Sequence, residues 1–565
     1  MTDAEGRVTS VRDLADRFHQ RWLEENPFTA SMYGIPGYDD RVPDDSERGQ
    51  QAWRAEISRY LEEAAALESG PLTPADAVTL DCTKEAATNE LETIDMARAE
   101  YTVTAMPYSG PAAFLAAGAR TVLLNPAAAE DYLTRLRRSG AWIDQNCDRL
   151  RAGAGRGRFP VAPLIEEAIG WADGVLAAPG IGPILSPAPP QGWDGAPAWA
   201  DERRAISEEV VRPALARWVA AISELLPRAR PSQQAGLVYL PGGDEDYARA
   251  IRIYTTLPLS AEQLHQTGLD HVAALEARAV ELGASLGLSG LSEVFDALRD
   301  SAGKIPPEQA IGQALVAVQR AEARAPEFFP QPLPPPCAVT PMPEVVALSG
   351  AAPHYTPPRL DGGRPGTFWF NTERPTPGTG WDVEVVAFHE AVPGHHLQLS
   401  RLQLLTELPA LQRQRSLAVF SEGWGLYAEQ LAEETGLYAD DHALLGSFCT
   451  SLMRAARLVV DTGLHAFGWS RERALEFLVE HVPMAREILA AEIDRYVVMP
   501  GQALAYLTGK LEILRIREEA RGRLGTEFSL PAFHAAVLDH GSLPMPTLAR
   551  SIAGWLDQLE PPDGR

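Results

Sequence analysis

The chain has 565 residues, of which 45% are hydrophobic, and this is enough apolar material for a large buried core. Its 76 acidic and 50 basic residues give a net charge of -26 at pH 7, which argues against nucleic acid or an anionic membrane as a partner. The four cysteines are scattered, the first residues lack an apolar signal core, and no apolar run is long enough to span a membrane. We therefore expect a soluble cytoplasmic protein without disulfides.

The first 230 residues predict an N-terminal lobe of antiparallel helices. Leu14, Phe18 and Trp22 recur at helical spacing between residues 11 and 25. The same pattern returns in three further ranges, 48–68, 73–100 and 127–152. A segment rich in proline, glycine and alanine, residues 178–199, then predicts an exposed loop or a junction between lobes.

Residues 231–565 predict a second helical lobe, which carries the candidate site and forms one integrated body with the first. Ser260 and Gln263 have the spacing of a capping box, so we expect a helix to begin there. The stretch 367–372 has the clearest β signature, with aromatic and β-branched residues between glycine and proline. This strand could pair with an extended substrate backbone or belong to a plain buried hairpin.

The stretch 388–398, FHEAVPGHHLQ, predicts a metal-binding helix that carries its own general base. In the common motif H-E-x-x-H, two histidines on one helical face bind zinc and the glutamate, here Glu390, activates water. The second histidine comes later in this chain, at His395 or His396. A straight helix would hold neither of them close enough to His389 to share one ion.

Pro393 and Gly394 offer a way to shorten that distance. Proline removes a backbone donor and kinks a helix, and glycine tolerates unusual dihedral angles, so two residues can bulge out of one turn. With such a bulge, His395 takes the place of the usual second ligand and His396 lies behind it or beside the substrate. Periodicity does not decide between the two across a bulge, so His396 stays open as the ligand.

A catalytic zinc takes three protein ligands and keeps one position open. Glu422, in the stretch SEGWGLY, follows His389 at a distance that fits a helical hairpin returning to the metal helix. Glu429 is the alternative third ligand. Gly423 and Gly425 each cost about 1 kcal/mol inside a helix, so we expect another backbone or a ligand to approach there.

Hydrolysis at such a site also needs a donor for the oxyanion that forms when water attacks a carbonyl. His465, Tyr496 and Tyr506 lie near local breaks at Gly463 and at the Pro500-Gly501 pair, which could bring them into a cleft. A position in the core is equally compatible with each of the three.

Four blocks, HEAVPGHHLQ, SEGWGLY, DTGLHAFGWS and RYVVMPGQALAY, resemble in this order the bacterial domain-of-unknown-function 885 family, which is grouped with the gluzincin-like zinc metallopeptidases. The resemblance is strong over roughly 235–510. It implies a mainly α, multi-helical body with a deep central cleft, similar to angiotensin-converting enzyme and oligopeptidase-type zinc peptidases. Carried over by position, it implies His389, His395 and Glu422 as ligands of one zinc ion and Glu390 as the base.

The leading prediction is a zinc metallopeptidase that hydrolyses amide bonds of short peptides, with Glu390 moving the proton and a tyrosine or histidine steadying the oxyanion. One alternative keeps the site and changes the substrate to a non-peptide small-molecule amide. Another is a catalytically inactive, metal-stabilised binding protein. The presence of Glu390 counts against the last, because a purely structural metal site does not need a base.

Overall fold

The computed structural model describes residues 10–178, 187–301, 305–342, 347, 352–372 and 380–559. Helices dominate these residues, so the predicted mainly α class is confirmed. In chain order the helices are α1 (Val11–Glu25), α2 (Pro27–Tyr33), α3 (Glu47–Glu68), α4 (Pro74–Met96), α5 (Gly110–Arg120), α6 (Pro126–Gly155), α7 (Ala162–Ala177), α8 (Ala196–Ile206), α9 (Arg212–Leu225), α10 (Gly243–Thr255), α11 (Ala261–Ser285), α12 (Gly290–Ser301), α13 (Pro307–Arg324), α14 (Val383–Glu390), α15 (His395–Leu404), α16 (Ala410–Gln414), α17 (Ala418–Glu434), α18 (Asp441–His465), α19 (Arg471–His481), α20 (Arg486–Val498), α21 (Ala505–Leu524), α22 (Leu530–Leu538) and α23 (Met545–Leu559).

Side-chain caps explain where several helices begin. At α1 the hydroxyl of Ser10 accepts from the N–H of Asp13, and the Asp13 carboxylate accepts from the N–H of Ser10. The predicted capping box at Ser260 and Gln263 has the same reciprocal pair and starts α11. Each box satisfies two of the backbone donors that a helix N-terminus leaves unpaired.

Three large apolar cores hold the helices together. The buried residues of one core all lie between Val103 and Leu225, on α5 to α9 and the segments that join them. A second core packs α1, α3 and α4 against α13, α14, α17 and α21. A third surrounds α18 with α10, α11, α19 and α20. The first core ends near residue 230, where the sequence predicts a boundary between lobes. The other two cores contain residues from both sides of that point. The boundary therefore stays a prediction.

Helix α18 is long and apolar enough to span a membrane by composition alone. However, 78% of its most apolar window is buried inside the structure, which is typical of the central helix of a packed body. Its charged side chains Arg457 and Asp461 are therefore buried as well.

A small sheet of three strands precedes α14 in the chain. The strands β1 (Ala338–Pro341), β2 (His354–Thr356) and β3 (Thr367–Phe370) lie in the order β1-β3-β2. The predicted strand is confirmed as β3, which is parallel to β1 and antiparallel to β2. Because β3 is central, the strand with a free edge for a substrate is one of its neighbours rather than β3 itself.

Candidate metal centre

Two separate helix ends carry the candidate histidines, where the sequence predicts one bulged helix. α14 ends at Glu390 and α15 begins at His395. The predicted bulge within one continuous helix is therefore wrong, because the chain leaves the first helix and starts a second one. The physical reason is that Pro393 has no N–H to continue the first helix. A Cβ on Gly394 would overlap the carbonyl oxygen of His389, so glycine is what lets the two helix ends approach.

Helix α17 holds this connection in place. The buried indole N–H of Trp424 donates to the carbonyl oxygen of Pro393 at 2.9 Å. Glu422 lies two residues before Trp424 on the same helix. The bond therefore ties the third candidate ligand to the segment that separates the other two.

The structure brings together His389, His395 and Glu422. Their candidate ligand atoms all lie within 4.8 Å of one another. The Nε2 atoms of His389 and His395 lie 3.5 Å and 3.6 Å from the same oxygen, Oε2 of Glu422. The two imidazole rings meet edge to face with their centroids 4.6 Å apart. Among the residues that the structure describes, this is the one group of His, Cys, Asp and Glu side chains with such spacing.

The spacing of these atoms suits a shared cation. Two donor atoms bound at about 2.0–2.1 Å in a tetrahedral arrangement lie about 3.3 Å apart. A direct hydrogen bond would close the gap to about 2.7–3.0 Å. His389 shows the shorter distance on its other side, where Nδ1 lies 2.7 Å from Oε1 of Glu429. Two imidazoles and one carboxylate are, moreover, a donor set that catalytic zinc sites use.

The electrostatics of the cluster also favour a cation. Burial opposes a charge on His389, but the nearby carboxylates of Glu422 and Glu429 outweigh it and raise the pKa of His389 to about 10. Burial likewise opposes the charge on Glu422, yet the two histidines hold the pKa of Glu422 well below its usual range. The Nδ1 atom of His395 is buried, with no hydrogen-bond partner in the described part of the chain.

Glu429, the alternative third ligand, lies behind His389 rather than in the cluster. It is only 4% exposed, and its Oε1 accepts from Nδ1 of His389. This bond fixes the tautomer of the imidazole and leaves Nε2 directed at Glu422. The sequence alone indicates that Glu429 lies near the site, because it follows Glu422 by two helical turns and so lies on the same face of α17.

Gly423 and Gly425 each destabilise a helix, and each has the close neighbour that the sequence predicts for such a glycine. A Cβ on Gly423 would lie 2.6 Å from backbone atoms of Gly509, where α17 crosses α21. A Cβ on Gly425 would lie 2.5 Å from Cε1 of His389. One glycine thus admits a helix and the other admits the ring of a candidate ligand.

Glu390, the predicted base, lies at the end of α14 beside the sheet. Its Oε2 accepts from the backbone N–H of Tyr355, the middle residue of β2, at 2.8 Å. Because this N–H bonds to Glu390, it is not part of the ladder with β3 and faces the free edge of β2. The carboxylate of the base and that free edge are therefore direct neighbours.

His396, the other histidine left open by the sequence, is bonded away from the cluster. Its Nε2 donates to the carbonyl oxygen of Pro335 at 2.7 Å. Its Nδ1 lies 3.1 Å from the hydroxyl of Tyr355 and 3.3 Å from that of Ser400. These bonds join α15 to β2 and occupy both ring nitrogens.

His465 lies in the core of the molecule. It is fully buried, its Nδ1 accepts from the N–H of Leu237, and its Nε2 donates to the carbonyl oxygen of Tyr496. Burial lowers the pKa of His465 to about 3, so the ring is neutral. Neither nitrogen is available to a substrate in this arrangement.

The two predicted tyrosines differ from each other. Tyr496 is fully buried, and its hydroxyl donates to Glu492 at 2.7 Å and accepts from Arg457 at 3.0 Å. Tyr506 is partly buried, and burial together with the charge of Glu422 raises its pKa. Of the three predicted oxyanion donors, Tyr506 is the one whose surroundings include the cluster.

Fold and cluster together define a mainly helical protein with a candidate metal centre of two histidines and one glutamate. The family model described as a bacterial protein of unknown function (DUF885) matches residues 27–552, and the chain belongs to this family.

Two solved structures are similar over nearly the whole chain. A "putative lipoprotein" from Colwellia psychrerythraea is 27% identical, with a TM-score of 0.88 over 98% of this chain and 100% of the other. A "putative lipoprotein of unknown function" from Shewanella oneidensis shares the fold at 16% identity, with a TM-score of 0.73 over 97% and 100%. None of the curated proteins compared with the chain matches it significantly.

These findings correct the predicted location. Both structural relatives are described as "putative lipoproteins", which indicates an exported or membrane-anchored protein, and the cytoplasmic location expected from the sequence is therefore wrong. The expectation depended on the absence of an apolar signal core from the first residues and on the scattered cysteines. The four cysteines are indeed free and buried. Neither feature determines the location, because an acidic helical protein without disulfides is stable both inside the cytoplasm and outside it.

Proposed function

We propose that this protein is a zinc-dependent hydrolase that cleaves amide bonds in short peptides. The observation that carries the proposal is the spacing of three ligand atoms, with Nε2 of His389 and Nε2 of His395 at 3.5 Å and 3.6 Å from Oε2 of Glu422. Glu390 follows the first of these ligands directly in the chain and supplies the carboxylate that hydrolysis requires.

Each residue of the site has a defined task in this proposal. A zinc ion held by His389, His395 and Glu422 supplies Lewis acidity toward water and a substrate carbonyl. Glu390 takes a proton from the attacking water and passes it to the leaving amine, so that the C–N bond breaks after the C–O bond has formed. Tyr506 donates its hydroxyl hydrogen to the developing oxyanion, because its raised pKa keeps it protonated.

The free edge of β2 supports a peptide as the substrate. An extended backbone can pair with an edge strand whatever its side chains, and β2 is an edge strand whose outward N–H, that of Tyr355, becomes available when Glu390 leaves it to act as the base. A deep central cleft like that of angiotensin-converting enzyme is part of this proposal. Burial of the two histidines agrees with an enclosed site, which would restrict substrates to short peptides.

Metal content tests the ligand set. We expect one zinc ion per molecule in the purified wild type and loss of zinc in His389→Ala, His395→Ala and Glu422→Ala. His396→Ala is the matched control, because both ring nitrogens of His396 are bonded away from the cluster. Zinc lost from His396→Ala but kept in His395→Ala would overturn the assignment.

Cleavage of a mixed library of short peptides tests the activity. We expect cleavage that a chelator stops and added zinc restores, and that Glu390→Gln lowers by about a hundredfold or more while zinc stays bound. Turnover of small non-peptide amides without any peptide cleavage would point to an amidohydrolase. Zinc bound without turnover of either class would point to a binding protein.

A further inference from the structure

Two arginines of α18 stack against the ring of Tyr506, the candidate oxyanion donor. Arg454 and Arg457 are three residues apart, and both guanidinium groups lie over the ring of Tyr506, at 5.9 Å and 4.4 Å from its centroid. Arg457 is only 7% exposed. Residues three apart on a helix share a face, so the pair forms one basic surface inside the molecule.

Within the described residues, one carboxylate contacts this basic surface. The one carboxylate that contacts Arg457 belongs to Glu492, and Glu492 also pairs with Arg495. Arg454 has no ion pair within the described residues. Its charge acts on the carboxyl groups of Asp382 and Glu429 from a distance and favours the ionised form of each, but it contacts neither. Buried guanidinium groups are costly unless an anion pairs with them.

Specific donors are also left without partners. Nη1 of Arg457 and Nε of Arg454 are both buried, with no hydrogen bond to any residue that the structure describes. A guanidinium group presents its N–H groups in a fixed fork that matches the two oxygens of a carboxylate. Two unpaired donors on adjacent arginines are therefore suited to one shared carboxylate.

The basic surface adjoins the cluster through Tyr506. The glycine contact between Gly423 and Gly509 marks where α17 and α21 cross. Glu422 is next to the first glycine in the chain, and Tyr506 lies three residues before the second, on the same face of α21. The Tyr506 ring thus contacts the two arginines and lies close to the crossing that carries Glu422, whose charge acts on its hydroxyl.

We propose that Arg454 and Arg457 bind the C-terminal carboxylate of the substrate, which makes this protein a carboxypeptidase-type enzyme that releases one or two residues from a peptide end. The proposal rests on the proposed function, since it names the substrate end of the same site. A terminal carboxylate lies about 3.5 Å beyond the scissile carbonyl for one released residue and about 7 Å for two. Water adds to the carbonyl carbon, the C–N bond breaks, and the proton goes to the amine of the released fragment.

Binding to the zinc-loaded Glu390→Gln protein tests the arginines without turnover. The probes are N-acetylated tetra-alanine with a free C-terminus, the same peptide as its C-terminal amide, and that amide with one alanine replaced by aspartate. Isothermal titration is expected to give a Kd for the free acid about ten- to a hundredfold lower than for the amide. Arg454→Gln should abolish the difference, and Arg454→Lys should restore it in part.

Controls separate this inference from the proposed function. Arg473→Gln is the matched control, because Arg473 also stacks on an aromatic ring, Trp469, but is exposed and has no contact with Tyr506. Arg454 is preferred to Arg457 for substitution, since it has no ion pair to lose among the residues that the structure describes. Unchanged zinc content shows that the site is intact.

The outcomes are distinct. Equal affinity for acid and amide, or equal affinity of the free acid for Glu390→Gln and for the same protein with Arg454→Gln added, would overturn the carboxylate site even if the wild type cleaves peptides. Tighter binding of the aspartate-containing amide than of the free acid would overturn the terminal assignment in favour of an acidic side chain. Arg454-dependent binding of the acid without cleavage by the wild type would support the carboxylate site and contradict the proposed hydrolysis.

Discussion

The ring of His389 is held on two sides by residues that are not candidate metal ligands. Glu429 accepts its Nδ1–H at 2.7 Å, and the missing side chain of Gly425 leaves room for its Cε1. A ligand imidazole held in this way keeps one orientation whether or not a metal is bound. The contribution of each residue can be measured separately.

Replacing Glu429 with glutamine should weaken zinc binding by about ten- to a hundredfold. The amide keeps the shape and can still accept from Nδ1–H, but it removes the charge that makes the imidazole a stronger ligand. Competition with a chelator of known affinity measures the change. Gln430→Ala, on the exposed side of the same turn, should leave zinc affinity unchanged, and equal losses in both variants would contradict a specific role for Glu429.

Replacing Gly425 with alanine should displace His389 and lower zinc content, although alanine favours the helix. The added Cβ would lie 2.5 Å from the imidazole ring, so the ring has to move away from Glu422. Metal analysis together with circular dichroism checks this, because helicity should stay while zinc is lost. Full zinc content in Gly425→Ala would show that the ring can adapt.

At the scale of elements, the crossing of α17 and α21 positions the site. Gly423 and Gly509 let the two backbones touch, and Glu422 and Tyr506 lie next to that point on their respective helices. Side chains at the crossing would push the helices apart and separate the candidate ligand from the candidate oxyanion donor. Backbone contact at glycine is a common way to bring two helices this close.

Two alanine substitutions on α21 should change stability in opposite directions. A Cβ on Gly509 would overlap the carbonyl oxygen of Val419, so Gly509→Ala should destabilise the protein by about 1–3 kcal/mol. Gly522 is exposed and has nothing within 4 Å of an added Cβ, so Gly522→Ala should stabilise it by up to about 1 kcal/mol. The midpoints of urea unfolding, followed by circular dichroism, give both signs. A stabilised Gly509→Ala protein would mean that the helix crossing is looser than described.

For the whole molecule, buried carboxyl groups away from the cluster govern how stability depends on pH. Asp461 on α18 accepts from the hydroxyl of Tyr247 at 2.7 Å and from the N–H of Gly501 at 3.1 Å. Burial raises the pKa of Asp461 to about 7, and burial does the same for Asp382. Such a group keeps its proton in the folded protein at a pH where the unfolded chain has released it.

The contribution of Asp461 to stability should therefore fall as pH rises from about 4 to about 7, by up to about 4 kcal/mol. The sign follows because folded Asp461 keeps a proton in this window that the unfolded chain has released, whereas His465, neutral when folded, contributes with the opposite sign. The comparison with Asp461→Asn isolates the aspartate: the thermal midpoint of this variant should fall less, or rise more, between pH 5 and pH 8 than that of the wild type. An equal decline in both proteins would show that Asp461 is not the titrating group.

The sequence by itself determined the features that depend on residues close together in the chain. Helical spacing gave the mainly α class, the capping box gave the start of α11, and aromatic and β-branched residues gave β3. Histidines and glutamates arranged as a lengthened zinc motif, with a later glutamate on a returning helix, marked His389, His395 and Glu422 as candidate ligands, and the structure brings these three together. Local spacing suffices for these features because one turn of helix or one strand is built from neighbouring residues.

Only the tertiary structure decided which of the remaining candidates meet. It assigned His465 and Tyr496 to buried hydrogen bonds, placed Tyr506 within the influence of the charge of Glu422, and brought the edge strand β2 against Glu390. It also stacked Arg454 and Arg457 of α18 against that tyrosine. The physical reason is that these contacts join segments far apart in the chain, and packing of whole helices, rather than periodicity within one, fixes which faces touch.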